Sequence, residues 1–212
     1  MGIPVLILGE SGSGKSTSLR NFKPEEYLLL NGAGKPLPFR GKPKYVINNP
    51  DYLTMSKAIS NAPVKTVVID DSQYMMAFDF FDHAKETGYQ KFTDLALNFK
   101  NLIDVVRKFS PEDEIVYFLH HIETMNDGKI KAKTIGKMLD EKLTIEGLFS
   151  VVLMCRTDGK RHYFETQSDG NTTAKSPIDM FEAEIDNDLK LVDQTIRDYW
   201  ELNNTEKETD KK

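Results

Sequence analysis

The chain has 212 residues and a net charge of −5, with 33 acidic and 28 basic side chains mixed along its length. That length suits one domain with a single substantial core, and the charge balance excludes binding to polyanions by bulk charge, leaving only a local basic surface for such a partner. Cys155 is the only cysteine, which excludes an intrachain disulfide, and no run approaches the ~20 apolar residues of a membrane span, so a reduced cytoplasmic setting without a membrane partner is expected.

Pro4–Leu8 reads as an apolar strand, short and without a preceding basic stretch, so no signal peptide is expected. It runs directly into Gly9-Glu10-Ser11-Gly12-Ser13-Gly14-Lys15-Ser16-Thr17. Gly, four residues, Gly-Lys-Ser is the P-loop spacing, in which backbone N–H groups wrap the phosphates of a nucleotide. The glycines permit conformations closed to side chains and a close approach to the anion. A helix from about Lys15 to Phe22 is expected to aim its N-terminal N–H groups at the phosphates. Lys15 is placed to reach the β- and γ-phosphates and Ser16 to bind Mg²⁺. The expected ligands are therefore ATP and Mg²⁺, with Gly9 to Thr17 as the binding turn.

Further along, Tyr27–Leu30 reads as a buried strand and the Gly- and Pro-rich stretch 31–44 as a loop. Tyr45–Ile47 reads as a short strand, and Asp51 caps a helix running to about Ser60. Thr66–Ile69 has the apolar, β-branched look of a central parallel strand. It delivers Asp70 and Asp71 at its C-terminal end, where parallel sheets bind ligands. If this strand neighbours the first, Asp70 is the Walker B acid that holds Mg²⁺, and Asp71 orients or deprotonates an attacking water.

The helical region that follows breaks near Gly88, and its later part puts Leu95, Phe99, Leu102, Ile103 and Val106 on one face. Ile115–Leu119 is another central strand and ends at His120 and His121. By alternation only one ring faces the nucleotide, and His120 is assigned to sense the γ-phosphate. Residues 121–137 read as a loop turning at Asn126-Asp127-Gly128. Its Lys129, Lys131, Lys133 and Lys137 form a local basic surface suited to a nucleic-acid backbone. Val151–Cys155 is a core strand that buries Cys155. His162–Thr166 with the turn Asp169-Gly170-Asn171 reads as a hairpin at the sheet edge, and a helix over Asp193–Leu202 closes the fold. The fold class is therefore α/β: a mainly parallel central sheet flanked by helices in one domain, residues 1–202, followed by a disordered polar tail, 203–212.

With these motifs in place, the chain resembles RecA-like P-loop ATPases over residues 3–180. More narrowly, it is similar to small nucleotide-binding proteins encoded by bacteriophages, some of which are ATP-dependent single-strand annealing proteins of phage recombination. Gly9–Thr17 carries the resemblance most specifically; Thr66–Ser72, His120–Glu123, Lys133–Gly136 and Thr173–Pro177 carry it loosely. The resemblance implies an oligomeric Mg²⁺-dependent ATPase whose site is completed by a neighbouring subunit's cation. Lys175 is the residue it points to, with Arg156 and Arg161 next. It also implies that the loop at 121–137 contacts single-stranded DNA. One departure stands out: the strand expected to end in a catalytic glutamate, Tyr27–Leu30, ends in Asn31. Two alternatives stay open. One is a small-molecule kinase, against which the six arginines and the lack of an Arg-rich insertion count. The other is a nucleotide-gated binding module with little hydrolysis. A GTPase switch is disfavoured, since no Asn-Lys-x-Asp motif is present.

Overall fold

The computed structural model describes residues 1–88, 90–136 and 142–202. The expectations for Lys137 and for the tail at 203–212 lie outside the described residues. The architecture is α/β, with a mostly parallel sheet between helices. Its strands are β1 Ile3–Gly9, β2 Leu28–Asn31, β3 Tyr45–Asn48, β4 Thr66–Asp70, β5 Ile115–Thr124, β6 Ile130–Ala132, β7 Val151–Thr157, β8 His162–Glu165 and β9 Glu184–Asp186. The order across the sheet is β3-β2-β4-β5-β1-β7-β8-β9, with β6 paired to β5 alone. Pairs from β3 to β7 are parallel; β7–β8, β8–β9 and β5–β6 are antiparallel.

Alternation along the central strands divides the core between two faces. Leu6, Leu8, Val67, Ile69, Val116 and Phe118 pack against α1 (Tyr52–Ser60), α2 (Ser72–Asp82) and α3 (Gln90–Phe109). Val5, Ile7, Val68, Tyr117 and Leu119 pack against α4 (Leu189–Tyr199) and Leu19. Leu95, Phe99, Leu102, Ile103 and Val106 of α3 are all buried, as the 3.6-residue period predicts. Asp51 caps α1 by accepting from the Thr54 N–H at 2.7 Å. Among the described residues no helix is long and apolar enough to cross a membrane.

Five expectations need correction. β4 does not neighbour β1, because β5 lies between them, and β2 lies further out still. The α-helix expected over Lys15–Phe22 is a 3-10 segment, Ser16–Asn21. The Ser18 hydroxyl bonds the Lys15 carbonyl at 2.6 Å, competing with regular helix bonding. Residues 121–136 are not an open loop: β5 runs on past the sheet and pairs with β6. The edge hairpin turns at 158–161 between β7 and β8, while the Asn171 carbonyl accepts from the Ile130 N–H of β6 at 2.8 Å. The last helix starts earlier, at Leu189, because Asp188 caps it.

Candidate functional site

A cleft of about 240 Å³ lies outside the C-terminal ends of β1, β4 and β5. The glycine turn walls one side with Ser11, Gly12, Gly14, Lys15, Ser16 and Thr17. Lys35, Pro36 and Pro38 of the 31–44 connection line it too, together with Asp70, Asp71 and His121. The connection from β1 travels towards β2 while that from β5 crosses β1 to β7, so the cleft sits where the winding of the sheet reverses.

The turn is braced from behind by residues far away in sequence. The Cys155 thiol donates to the Ser13 carbonyl at 3.1 Å, and burial pushes that thiol up to about 11, which leaves it inert. The Asn187 amide donates to the Gly14 carbonyl at 3.3 Å. The His162 Nδ1–H donates to the Ser13 carbonyl at 2.7 Å. Its ring packs so closely that a Cβ at position 14 would come within 2.8 Å of it, and Gly14 also has φ of +105°. Gly9 is equally confined: a Cβ there would run into the Ser13 hydroxyl and come within 2.9 Å of the Cys155 carbonyl.

Lys15 is buried, and its ammonium donates to the Gly9 and Glu10 carbonyls at 2.8 Å each. Burial lowers its pKa, with the Lys35 charge adding a little; Cys155, Asp71 and Asp70 work the other way. The Ser16 hydroxyl donates to Asp70 Oδ1 at 2.9 Å, joining two positions 54 residues apart. Burial, then the Asp71 charge, pushes the Asp70 carboxyl up, against the Ser16 hydrogen bond. Among the described residues no group of three or more His, Cys, Asp or Glu side chains is arranged to hold a metal ion. One hydroxyl and one carboxylate nevertheless fit Mg²⁺, which takes few protein oxygens and fills its octahedron with waters and phosphates.

Asp71 sits in the left-handed region with φ of 56° and ψ of 40°. Its carboxylate is held by Lys35 Nζ at 2.9 Å and His121 Nε2 at 3.2 Å. Burial works to raise its pKa, but the bonds from His121 and Lys35 outweigh it and bring the group to about 2. Asn31 explains how Lys35 gets there. Its side-chain amide donates to the Lys35 carbonyl at 2.8 Å and to Asn48 Oδ1 at 2.9 Å, and its own carbonyl accepts from the Gly34 N–H at 3.2 Å.

The structure brings together the glycine turn, Lys15, Ser16, Asp70 and Asp71. It places His120 elsewhere. That ring is fully buried, with Ser72 Oγ at 2.9 Å from Nδ1 and the Lys133 carbonyl at 2.9 Å from Nε2, and His121 faces the cleft in its place. Lys175 pairs through its backbone with Val152 in both directions at 2.8 Å, and it does not line the cleft. Arg156 is paired with Glu165, and Arg161 with Glu184 and Asp158.

On the β5–β6 hairpin, Lys129 lies 3.6 Å from Asp127 and Lys131 3.2 Å from Glu123, so part of the basic surface is neutralised within the hairpin itself. Buried Glu146 accepts from the Ala132 N–H at 2.7 Å, fastening β6 to the body. Sequence does not point to Lys35, His162 or Asn187 for this site, and it names His121 only as the alternative to His120. For Lys35 the one local signal is the Lys-Pro-Leu-Pro run. No family model matches the chain, and no curated protein matches it.

Proposed function

We propose that the chain is a P-loop ATPase of the RecA-like type, which binds ATP with Mg²⁺ in this cleft, assembles into oligomers and acts on single-stranded DNA. The observation that carries the reading is the 2.9 Å bond between Ser16 and Asp70. A hydroxyl from the glycine turn and a strand-end carboxylate meet across the width of β5, beside a buried lysine whose ammonium is already on the turn. That convergence is hard to account for as a surface turn.

In this reading the amides of Gly12 to Ser16 wrap the phosphates, and Lys15 exchanges the Gly9 and Glu10 carbonyls for phosphate oxygens. Ser16 and Asp70 hold Mg²⁺, which when bound neutralises charge on the phosphates. Lys175 is the cation offered to a neighbouring copy's site, and Lys129, Lys131 and Lys133 meet the DNA backbone. A second reading, a nucleotide-gated binder with little hydrolysis, is favoured by Asp71: a carboxylate held by two partners and brought to about 2 is a weak proton acceptor.

Calorimetry with Mg·ATP on the parent chain and on Lys15→Ala tests the site, with turnover and sizing measured with and without single-stranded DNA. The parent should bind, and Lys15→Ala should lose at least about tenfold in affinity. Turnover that rises with DNA and assembly selects the ATPase, and binding heat without turnover selects the gated binder. No heat from either ATP or GTP would end the nucleotide reading.

A further inference from the structure

Lys35 lines the cleft and belongs to none of the motifs. It reaches into the cleft from the 31–44 connection and rests against the Tyr74 ring at 4.7 Å. Its partner, Asp71, is the only described residue it pairs with in an ion pair, at 2.9 Å. The lysine side chain is 58% exposed, so the pair is weak and readily exchanged. Its backbone, in contrast, is fixed: Asn31 grips the Lys35 carbonyl and, through Gly34 at φ of +64°, the turn before it. A flexible cation on an anchored stem can change partners without moving its loop.

Around Asp71 the protein has already built the surroundings of an anion. Lys35 approaches one carboxylate oxygen and His121 the other, and Tyr74 packs against both of those partners. In the nucleotide reading the glycine turn takes the inner phosphates, and Lys35, Asp71 and His121, which line the same cleft beside Asp70, are left for the terminal one. We propose that Lys35 is a phosphate-contacting residue specific for the terminal phosphate of a triphosphate, and that Asp71 holds its place until that phosphate arrives. The inference rests on the nucleotide reading above and deepens it: discrimination between tri- and diphosphate is built into one chain, before any neighbouring copy contributes. When Lys35 moves to the phosphate, Asp71 is released from one of its two partners.

The test compares affinities for ADP and for the non-hydrolysable imido analogue of ATP, each with Mg²⁺, by calorimetry. Lys35→Ala should weaken the analogue by about tenfold or more, the worth of one charge-assisted hydrogen bond, while ADP changes by less than about twofold. Lys35→Arg should restore the preference. Asp71→Asn, which removes the competing carboxylate charge, should strengthen the analogue relative to ADP. A merely structural role would lower both affinities alike, so an unchanged ratio in Lys35→Ala overturns the inference. An unchanged ratio in Asp71→Asn overturns the exchange of partners. A parent chain that binds neither nucleotide removes the nucleotide reading and this inference together, whereas binding of both with an unaltered ratio removes only this one.

Discussion

His120 and His121 are adjacent in sequence, and β5 sends them to opposite surroundings. The Lys133 carbonyl can only accept, so Nε2 of His120 carries the proton, and Nδ1 lies 2.9 Å from the Ser72 hydroxyl, whose hydrogen it shares with the Leu119 carbonyl. Complete burial brings this ring down to about 4, from 6.5 when free. The folded state therefore prefers the neutral ring. The resulting stability is complete above about pH 6.5 and is lost as pH falls towards 4. Between pH 7 and pH 5 the loss from this residue is about 2 kcal/mol. Urea unfolding at the two values should show that drop in the parent, and a matching reduction in pH dependence in His120→Gln. An equal pH dependence in the two chains would contradict the assignment. Sequence alone made the pair visible and showed that only one ring could face the cleft. It did not say which, because the answer depends on which face of β5 is covered by Phe99 and α2.

β5 is the element that joins the site to the hairpin. Its first part lies beside β1, from Ile3 opposite Ile115 to Gly9 opposite His121, and its last three residues pair with β6. No turn separates the two parts. The Lys133 N–H donates to the His121 carbonyl at 2.9 Å, so the hairpin's return strand is tied to the residue that touches Asp71. In the proposed DNA-binding role, replacing Lys129, Lys131 and Lys133 together by glutamine should weaken binding to a single strand and flatten its salt dependence. Each DNA phosphate that a lysine ceases to neutralise takes about 0.7 off the slope. Because Lys129 and Lys131 already pair with Asp127 and Glu123, the change should fall short of the value for three phosphates. Fluorescence titrations across a salt series would measure it, and an unchanged slope would remove the hairpin from the DNA reading. The turn at Asn126-Asp127-Gly128 was legible from its residue types. The pairing on either side was not, because β6 is held by Glu146 and Asn171, residues supplied by later parts of the chain.

At the scale of the molecule, α4 is fastened to the sheet by a buried network. Asp193 accepts from Tyr117 and Thr66 at 3.1 Å each and from Arg197 Nε at 2.6 Å. Arg197 also reaches the Lys65 and Asp113 carbonyls. Asp193→Ala takes the carboxylate from Arg197 and leaves the buried Tyr117 hydroxyl without a partner, while Arg197 keeps two carbonyls and the Thr66 hydroxyl, and should cost about 3 kcal/mol in urea unfolding. Tyr117→Phe should cost only about 1 kcal/mol, since one hydrogen bond goes and the ring remains. The alternation of apolar strands and amphipathic helices made the α/β class readable from sequence. The order of strands was not readable. Asp70 and the glycine turn share a cleft although β5 divides their strands, and nothing local encodes which strand will slip between two others.

The first strand of the chain is the middle of the sheet. Its two neighbours are β5 and β7, which begin at residues 115 and 151. During synthesis, Val5-Leu6-Ile7-Leu8 therefore emerges without a mate and waits while more than a hundred further residues are added, on the order of ten seconds at ribosomal speed. Closing such distant pairings makes folding slow and late. Over that interval the newborn polypeptide exposes an adhesive apolar segment, and its yield in a cell depends on what shields that segment until the strands on both sides have been made.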